Sequence, residues 1–169
     1  MRHEKKVLAC VDKSDYAAHV ADYAAWAAAR LSAPIELLHV IDRHPEIAAD
    51  VDRSGSIGVD AQENLLERLS QEEGERSKVI REQGRVFLNQ LRTRCETHTG
   101  LQTDTRQRYG QLLATLKEQE SSVAMYVLGR RGESASHTRG DLGRHVEAIC
   151  RQIRRPIMTV TDDFKAPKS

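Results

Sequence analysis

The feature that most constrains this chain is a series of short apolar runs separated by helical segments. Apolar residues dominate VLACV (7–11), IELLHVI (35–41), VAMYVL (123–128) and PIMTVT (156–161). Runs of this length without strict alternation predict strands that are buried on both faces, as in a parallel sheet. A more polar strand is predicted at 102–109, and so few apolar residues fit best at a sheet edge.

Helical spacing of apolar residues predicts a helix between successive strands. The first helix should run over about 15–31 after an N-cap at Ser14, and the second over about 61–97. The stretch 70–78 has no apolar residue, so this helix either projects beyond the sheet or breaks at Gly74. Between them, 42–60 is polar and predicts a long loop. Two shorter helices are marked by Leu112, Leu113 and Leu116, and by Val146, Ile149 and Ile153.

The alternation of strands and helices predicts the fold class. It is α/β, with a five-stranded parallel sheet, right-handed crossovers and helices on both faces. A chain of 169 residues fits one domain, which we assign to residues 1–162. The remaining segment, 163–169, is expected to be a disordered tail.

Charge and composition exclude several classes of protein. The 26 basic and 25 acidic residues leave a net charge of +1, without the basic excess of nucleic-acid-binding proteins. The most apolar stretch, 17–31, contains His19, Asp22 and Arg30, so it does not predict a bilayer span. No apolar run near the start suits a signal peptide, and we expect a cytoplasmic location. Cys10, Cys95 and Cys150 lack metal or disulfide spacing and are expected to be buried, reduced thiols.

Ligands of doubly wound sheets bind beyond the carboxyl ends of the strands, where the strand order reverses. This rule indicates Asp12, residues 40–42, and the segment after Leu128. Asp12 has a structural alternative, because an Asp at a strand end can cap the next helix or accept N–H groups of the turn.

The segment after Leu128 is rich in glycine. Of the ten glycines, four (129, 132, 140 and 143) lie in this window. Glycine lets a phosphate approach backbone N–H groups, and a helix beginning near Gly143 would add N–H donors and a positive dipole end. A flexible strand-to-helix loop would explain the same pattern. Arg130 and Arg131 could attract phosphate or simply face solvent.

VLACVDKS (7–14), IELLHVID (35–42) and VLGRRG…LGRHVEAICRQIRRPIMTV (127–160) resemble the universal stress protein family in order and spacing. The resemblance implies a Rossmann-like sheet of order 3-2-1-4-5, as in adenine nucleotide hydrolase-like folds. It also implies ATP or another adenine nucleotide as ligand, with or without Mg²⁺. Asp12 would contact the ribose or adenine, Val40 would line the adenine pocket, and Leu128 is a further candidate contact. Gly129, Gly132 and Gly143 match the phosphate-binding glycines of the family.

The chain departs from the family pattern in the ten-residue spacer between Gly132 and Gly143, where about nine residues are usual, and at two positions. Arg144 stands where ATP-binding members have Ser or Thr, and Lys13 stands where Gly is usual. Arg144 could clamp the terminal phosphate, fill the phosphate pocket itself, or be solvated. Of the histidines, His145 is a candidate ligand contact at the helix start, whereas His39 is expected to be a satisfied core residue.

Three functions stay open on the sequence. The first is a nucleotide-responsive regulatory protein of the stress response. The second is a dimeric interaction module of the same family that binds no nucleotide, and the third is a slow ATP hydrolase. No catalytic arrangement, metal-binding spacing or Walker A motif is legible. The resemblance implies a homodimer formed through the last strand (156–161), while no feature names a protein partner.

Overall fold

A computed structural model describes residues 5–41, 59–130, 144–161 and 163–168. It contains five strands and four helices in alternation within these ranges. The elements are β1 (Lys6–Cys10), α1 (Ala17–Leu31), β2 (Ile35–Ile41), α2 (Val59–Thr99), β3 (Thr103–Tyr109), α3 (Leu112–Gln119), β4 (Val123–Gly129), α4 (Arg144–Gln152) and β5 (Ile157–Val160).

The strands form one parallel sheet in the order β3-β2-β1-β4-β5. This confirms the predicted fold class and strand order. It also places the polar strand β3 and the short strand β5 at the two edges, as expected. Since β1 lies between β2 and β4, the chain reverses its direction across the sheet at β1 and β4.

The core has two layers because alternate residues of each strand face opposite sides. On one side the sheet packs against α1 and α2, and on the other against α3 and α4. Ala21, Ala24 and Ala28 of α1 are fully buried, and their small side chains let this helix approach the sheet closely. On the other face the buried Tyr126 hydroxyl donates a 2.7 Å hydrogen bond to the carbonyl oxygen of Leu116.

A bidentate ion pair joins α1 to α2. Arg94 donates from Nε and Nη2 to the two carboxylate oxygens of Asp22, at 2.7 and 2.8 Å. Asp22 is buried, whereas the Arg94 side chain is 43% exposed. The same Asp22 carboxylate and burial together raise the pKa of the neighbouring Cys95 thiol to about 12, with burial the larger cause.

Helix α2 continues through Gly74 without a break over its 41 residues. Of the two outcomes predicted for 70–78, projection is therefore the one observed: residues 61–76 are all exposed. From residue 61 onward the first buried position is Gly84, where an added Cβ would meet the terminal amide of Gln107 on β3. That amide ends a flexible side chain, so a substitution here would require Gln107 to turn away.

The residues after β5 differ from the expected disordered tail. Phe164 packs edge-to-face on Tyr23 of α1 with ring centroids 4.8 Å apart, and its backbone N–H donates to His19 Nδ1 at 3.2 Å. Asp163 lies 3.1 Å from His19 Nε2. Phe164 is the single aromatic residue of this charged segment, and its packing on Tyr23 is a contact that the composition of the segment does not indicate.

The cysteines also differ in part from expectation. All three are free thiols, but only Cys95 is fully buried; Cys10 is half-buried and Cys150 is exposed. Cys150 lies on the solvent side of α4, one position after the buried Ile149. The exposure of Cys150 follows from its position on the solvent-facing side of a short amphipathic helix and not from the residue type.

Within the described residues, no helix combines the length and apolar character needed to cross a bilayer.

Candidate nucleotide site

The end of β1 is shaped by Asp12. Its Oδ1 accepts a 3.0 Å hydrogen bond from the backbone N–H of Ser14, which forms a local turn before α1. Helix α1 begins at Ala17, and Tyr16 occupies its N-cap without a side-chain hydrogen bond, so the prediction that Ser14 caps the helix is wrong. The Asp12 carboxylate organises the turn between β1 and α1, and no side chain caps the helix. This is the structural role that the sequence left open for Asp12.

The end of β2 lies beside the end of β1. The backbone N–H of Val11 donates to the Leu38 carbonyl at 2.9 Å, and His39 Nδ1 donates to the Val11 carbonyl at 2.9 Å. His39 is buried and its ring contacts Phe87, which confirms its assignment to the core. Val40 faces the opposite side of the sheet and is half-buried.

The end of β4 completes the group. Leu128 is buried and pairs in register with Cys10 of β1, and Gly129 pairs with Val160 of β5. The N–H of Arg130 donates to the Val160 carbonyl at 2.8 Å, so the strand pairing extends one residue past Gly129. The structure therefore places Asp12, Val40, Leu128 and Gly129 at the carboxyl ends of neighbouring strands.

The remaining predicted site residues are placed less completely. Arg131, Gly132 and Gly143 lie outside the described residues. Arg144 is the first residue of α4, and its side chain also lies outside the described part. His145 follows it in the first turn of α4 with an exposed side chain.

An apolar wall lies next to these strand ends, and of its members the sequence pointed only to Val40. Cys10, Val40, Leu112 and Leu113 are half-buried and pack on the same core cluster as Leu128. Strand alternation could have identified Cys10, which lies two residues before Asp12 and after the buried Leu8. Leu112 and Leu113 come from the start of α3, and only the tertiary fold brings them here.

The electrostatics of this wall keep Cys10 neutral. Burial raises the pKa of its thiol far above the ordinary range, and the carboxylates of Asp12 and Glu36 raise it further. A thiol in this state is a poor nucleophile. We therefore assign Cys10 to the lining of the site and not to its chemistry.

A second, polar depression lies between the start of α1 and the tail, lined by Asp15, Tyr16, His19, Thr161, Asp163 and Lys165. Its lining includes none of Asp12, Val40, Leu128 and Gly129. The switch between β1 and β4 and the apolar wall favour the latter group as the site for a partly apolar ligand. Among the described residues, no cluster of three His, Cys, Asp or Glu side chains could hold a metal ion.

Comparison with known proteins decides the family. The model of the universal stress protein family matches residues 4–161. This chain belongs to the universal stress protein family. It is 31% identical over 162 residues to universal stress protein Slr1230 of Synechocystis sp., covering 95% of this chain and 56% of that protein. The chain thus spans about half the length of this curated relative.

Solved structures share the fold at low sequence identity. A universal stress protein in complex with cAMP superposes with a TM-score of 0.58 at 15% identity, covering 94% of this chain and 98% of the other. The universal stress protein from Archaeoglobus fulgidus in complex with dAMP gives a TM-score of 0.57 at 14% identity, covering 92% and 96%. At these identities the likeness establishes the fold.

Proposed function

We propose that this universal stress protein binds an adenine nucleotide at the carboxyl ends of β1, β2 and β4, and acts as a regulatory protein in the stress response. One observation carries the proposal. The Asp12 carboxylate and a half-buried apolar wall meet at the point where the strand order reverses. A planar base needs an apolar wall, and a ribose hydroxyl needs an acceptor, so the pair suits a nucleoside.

The proposal gives each part of the site a role. Val40, with Cys10 and Leu112, lines the base. Asp12 accepts a hydrogen bond from the ribose or the adenine through the carboxylate that also accepts from the Ser14 N–H. The start of α4 at Arg144 directs a positive helix end toward the phosphates. Family members of the same fold hold cAMP or dAMP, which supports an adenine nucleotide as the ligand class.

Isothermal titration with ATP and Mg²⁺, and separately with AMP, tests the proposal. The unaltered protein should give saturable heat. Asp12→Asn should weaken binding about tenfold, because it keeps the oxygen that accepts from Ser14 but loses the charge. Asp104→Asn, an exposed carboxylate on edge strand β3, is the matched control and should bind normally. No saturable heat at millimolar nucleotide would refute the proposal.

The position of Arg144 supports a second candidate, the interaction module that binds no nucleotide. Arg144 opens α4, where the family pattern has a small hydroxyl residue beside the phosphates. If its guanidinium occupies the phosphate position, Arg144→Ser should gain binding that the unaltered protein lacks. Copurification of the unaltered protein with ATP excludes this candidate.

We also propose a homodimer through β5. This strand has only four residues and lies at a sheet edge, with Met158 half-buried and Thr159 exposed. An edge of this kind can pair with a second copy. Light scattering should show a dimer at tens of micromolar and a loss of mass in Met158→Lys, because the charge would be placed at the interface. If the mass falls in Arg130→Met but not in Met158→Lys, the contact between the two copies does not lie at β5.

A further inference from the structure

The projecting part of α2 exposes large apolar side chains along one stripe. Leu65, Leu66 and Leu69 are 42, 65 and 44% exposed, and Val79 and Ile80 are 55 and 37% exposed. At about 100° per residue, the five side chains fall within roughly 140° of the helix circumference. An exposed stripe of this kind on a long helix marks an interaction surface.

The same segment cannot be explained as a self-sufficient helix. From residue 61 onward its first buried position is Gly84, so the 23 residues from 61 to 83 (about 35 Å of helix) have little support from the body of the domain. In proteins most helical stability comes from tertiary packing of an apolar face and not from the propensity of the helix itself. We call residues 61–83 the arm.

Charge is segregated along the arm. Residues 61–75 carry five acidic side chains and one basic one, whereas residues 76–85 carry four basic and one acidic. A helix with this pattern is complementary to itself when a second copy runs antiparallel, because the acidic half then lies along the basic half. A parallel arrangement would place like charges together.

The interruption in the apolar stripe fits the same arrangement. Glu73 and Arg76 lie within the stripe, on either side of a point next to Gly74, and both are exposed. A two-fold axis at this point places Glu73 of one copy opposite Arg76 of the other, and Leu69 opposite Ile80.

We propose that the arm pairs with the arm of a second copy of this chain, antiparallel, about a two-fold axis near Gly74. The interface is isologous, so each contact occurs twice. The Glu73–Arg76 contacts set the antiparallel register, as single polar residues do in coiled coils, and the leucine–isoleucine contacts supply the apolar burial. This surface is separate from β5, so a chain using both would form an assembly larger than a dimer.

Charge reversal with complementary mixing tests the proposal on the full-length protein. Glu73→Lys and Arg76→Glu each create two like-charge contacts in a homodimer, so each variant alone should have at most half the mass of the unaltered protein by light scattering. An equimolar mixture of the two variants restores opposite charges at both contacts and should recover the original mass. A change in helix stability within one chain could not produce recovery on mixing.

Two controls keep the outcome specific to the arm. Glu67→Lys makes the same charge change on the opposite side of the helix and should leave the mass unaltered. The series repeated with Met158→Lys separates the arm from β5, because the loss and recovery should persist there. The proposal would be overturned if neither reversal variant has a lower mass than the unaltered protein, or if the mixture of the two variants does not recover the original mass. If neither arm substitution changes the mass, the exposed stripe would be the contact surface for a different protein.

Discussion

The ion pair between α1 and α2 gives a sharp prediction because its two members differ in exposure. Asp22 is 9% exposed and receives both hydrogen bonds from Arg94, while the Arg94 side chain is 43% exposed. Arg94→Met leaves a carboxylate in a site with little water, which should cost about 3 kcal/mol. Asp22→Asn leaves a guanidinium that can turn to solvent, and should cost only about 1 kcal/mol.

Urea unfolding followed by circular dichroism measures both costs. In a chain of this size, about 2–4 °C of melting temperature accompany each kcal/mol, so Arg94→Met should melt about 6–12 °C lower. The double variant should be about as stable as Asp22→Asn alone, since its neutral side chain no longer needs the arginine. Arg92→Met, an exposed position on the same helix, should change stability by less than about 0.5 kcal/mol. Equal costs for the two single substitutions would refute the argument from burial.

Three further outcomes follow from buried and exposed groups. A thiol reagent at pH 8 should modify Cys150 first, since it is exposed, while the neutral Cys10 and the buried Cys95 react slowly; the number of fast-reacting thiols checks this. Tyr126→Phe removes the hydrogen bond to the Leu116 carbonyl. It should lower the free energy of unfolding, measured in urea, by about 1–2 kcal/mol. Burial raises the pKa values of Cys95, from 9.0 to about 12, and of Tyr126, so both stay neutral in the folded chain while their unfolded counterparts ionise. The free energy of unfolding should therefore fall above about pH 9 through Cys95 and above about pH 10 through Tyr126, by up to about 1.4 kcal/mol per pH unit for each group; a rise would contradict the shifts.

The sheet was predictable because its signal is local. Apolar runs such as 7–11 and 123–128 indicate buried strands, and the polar run at 102–109 fits best at a sheet edge. Asp12, Val40 and Leu128 followed from the rule that ligands bind at strand ends. These inferences need only the order of residues along the chain.

The remaining features depend on contacts between distant segments. Leucines at 65, 66 and 69 have the spacing of a packed face, yet the sheet ends before it reaches them. Ser14 has the right chemistry for an N-cap, but Asp12 forms the turn first. The tail at 163–165 is held by His19 and Tyr23, a contact with no local signal in the tail itself.

Amide chemical shifts can show directly whether a nucleotide binds at the carboxyl ends of β1, β2 and β4. On titration of the ¹⁵N-labelled protein with ATP, the largest changes should occur at the N–H groups of Asp12, Val40, Gly129 and His145. The N–H groups at the amino ends of the strands, which lie at the opposite edge of the sheet from the site, should not shift; Lys6 at the start of β1 is one of them. Saturation with shifts confined to that opposite edge, or no shifts at millimolar ATP, would contradict a nucleotide site at the carboxyl ends of β1 and β4.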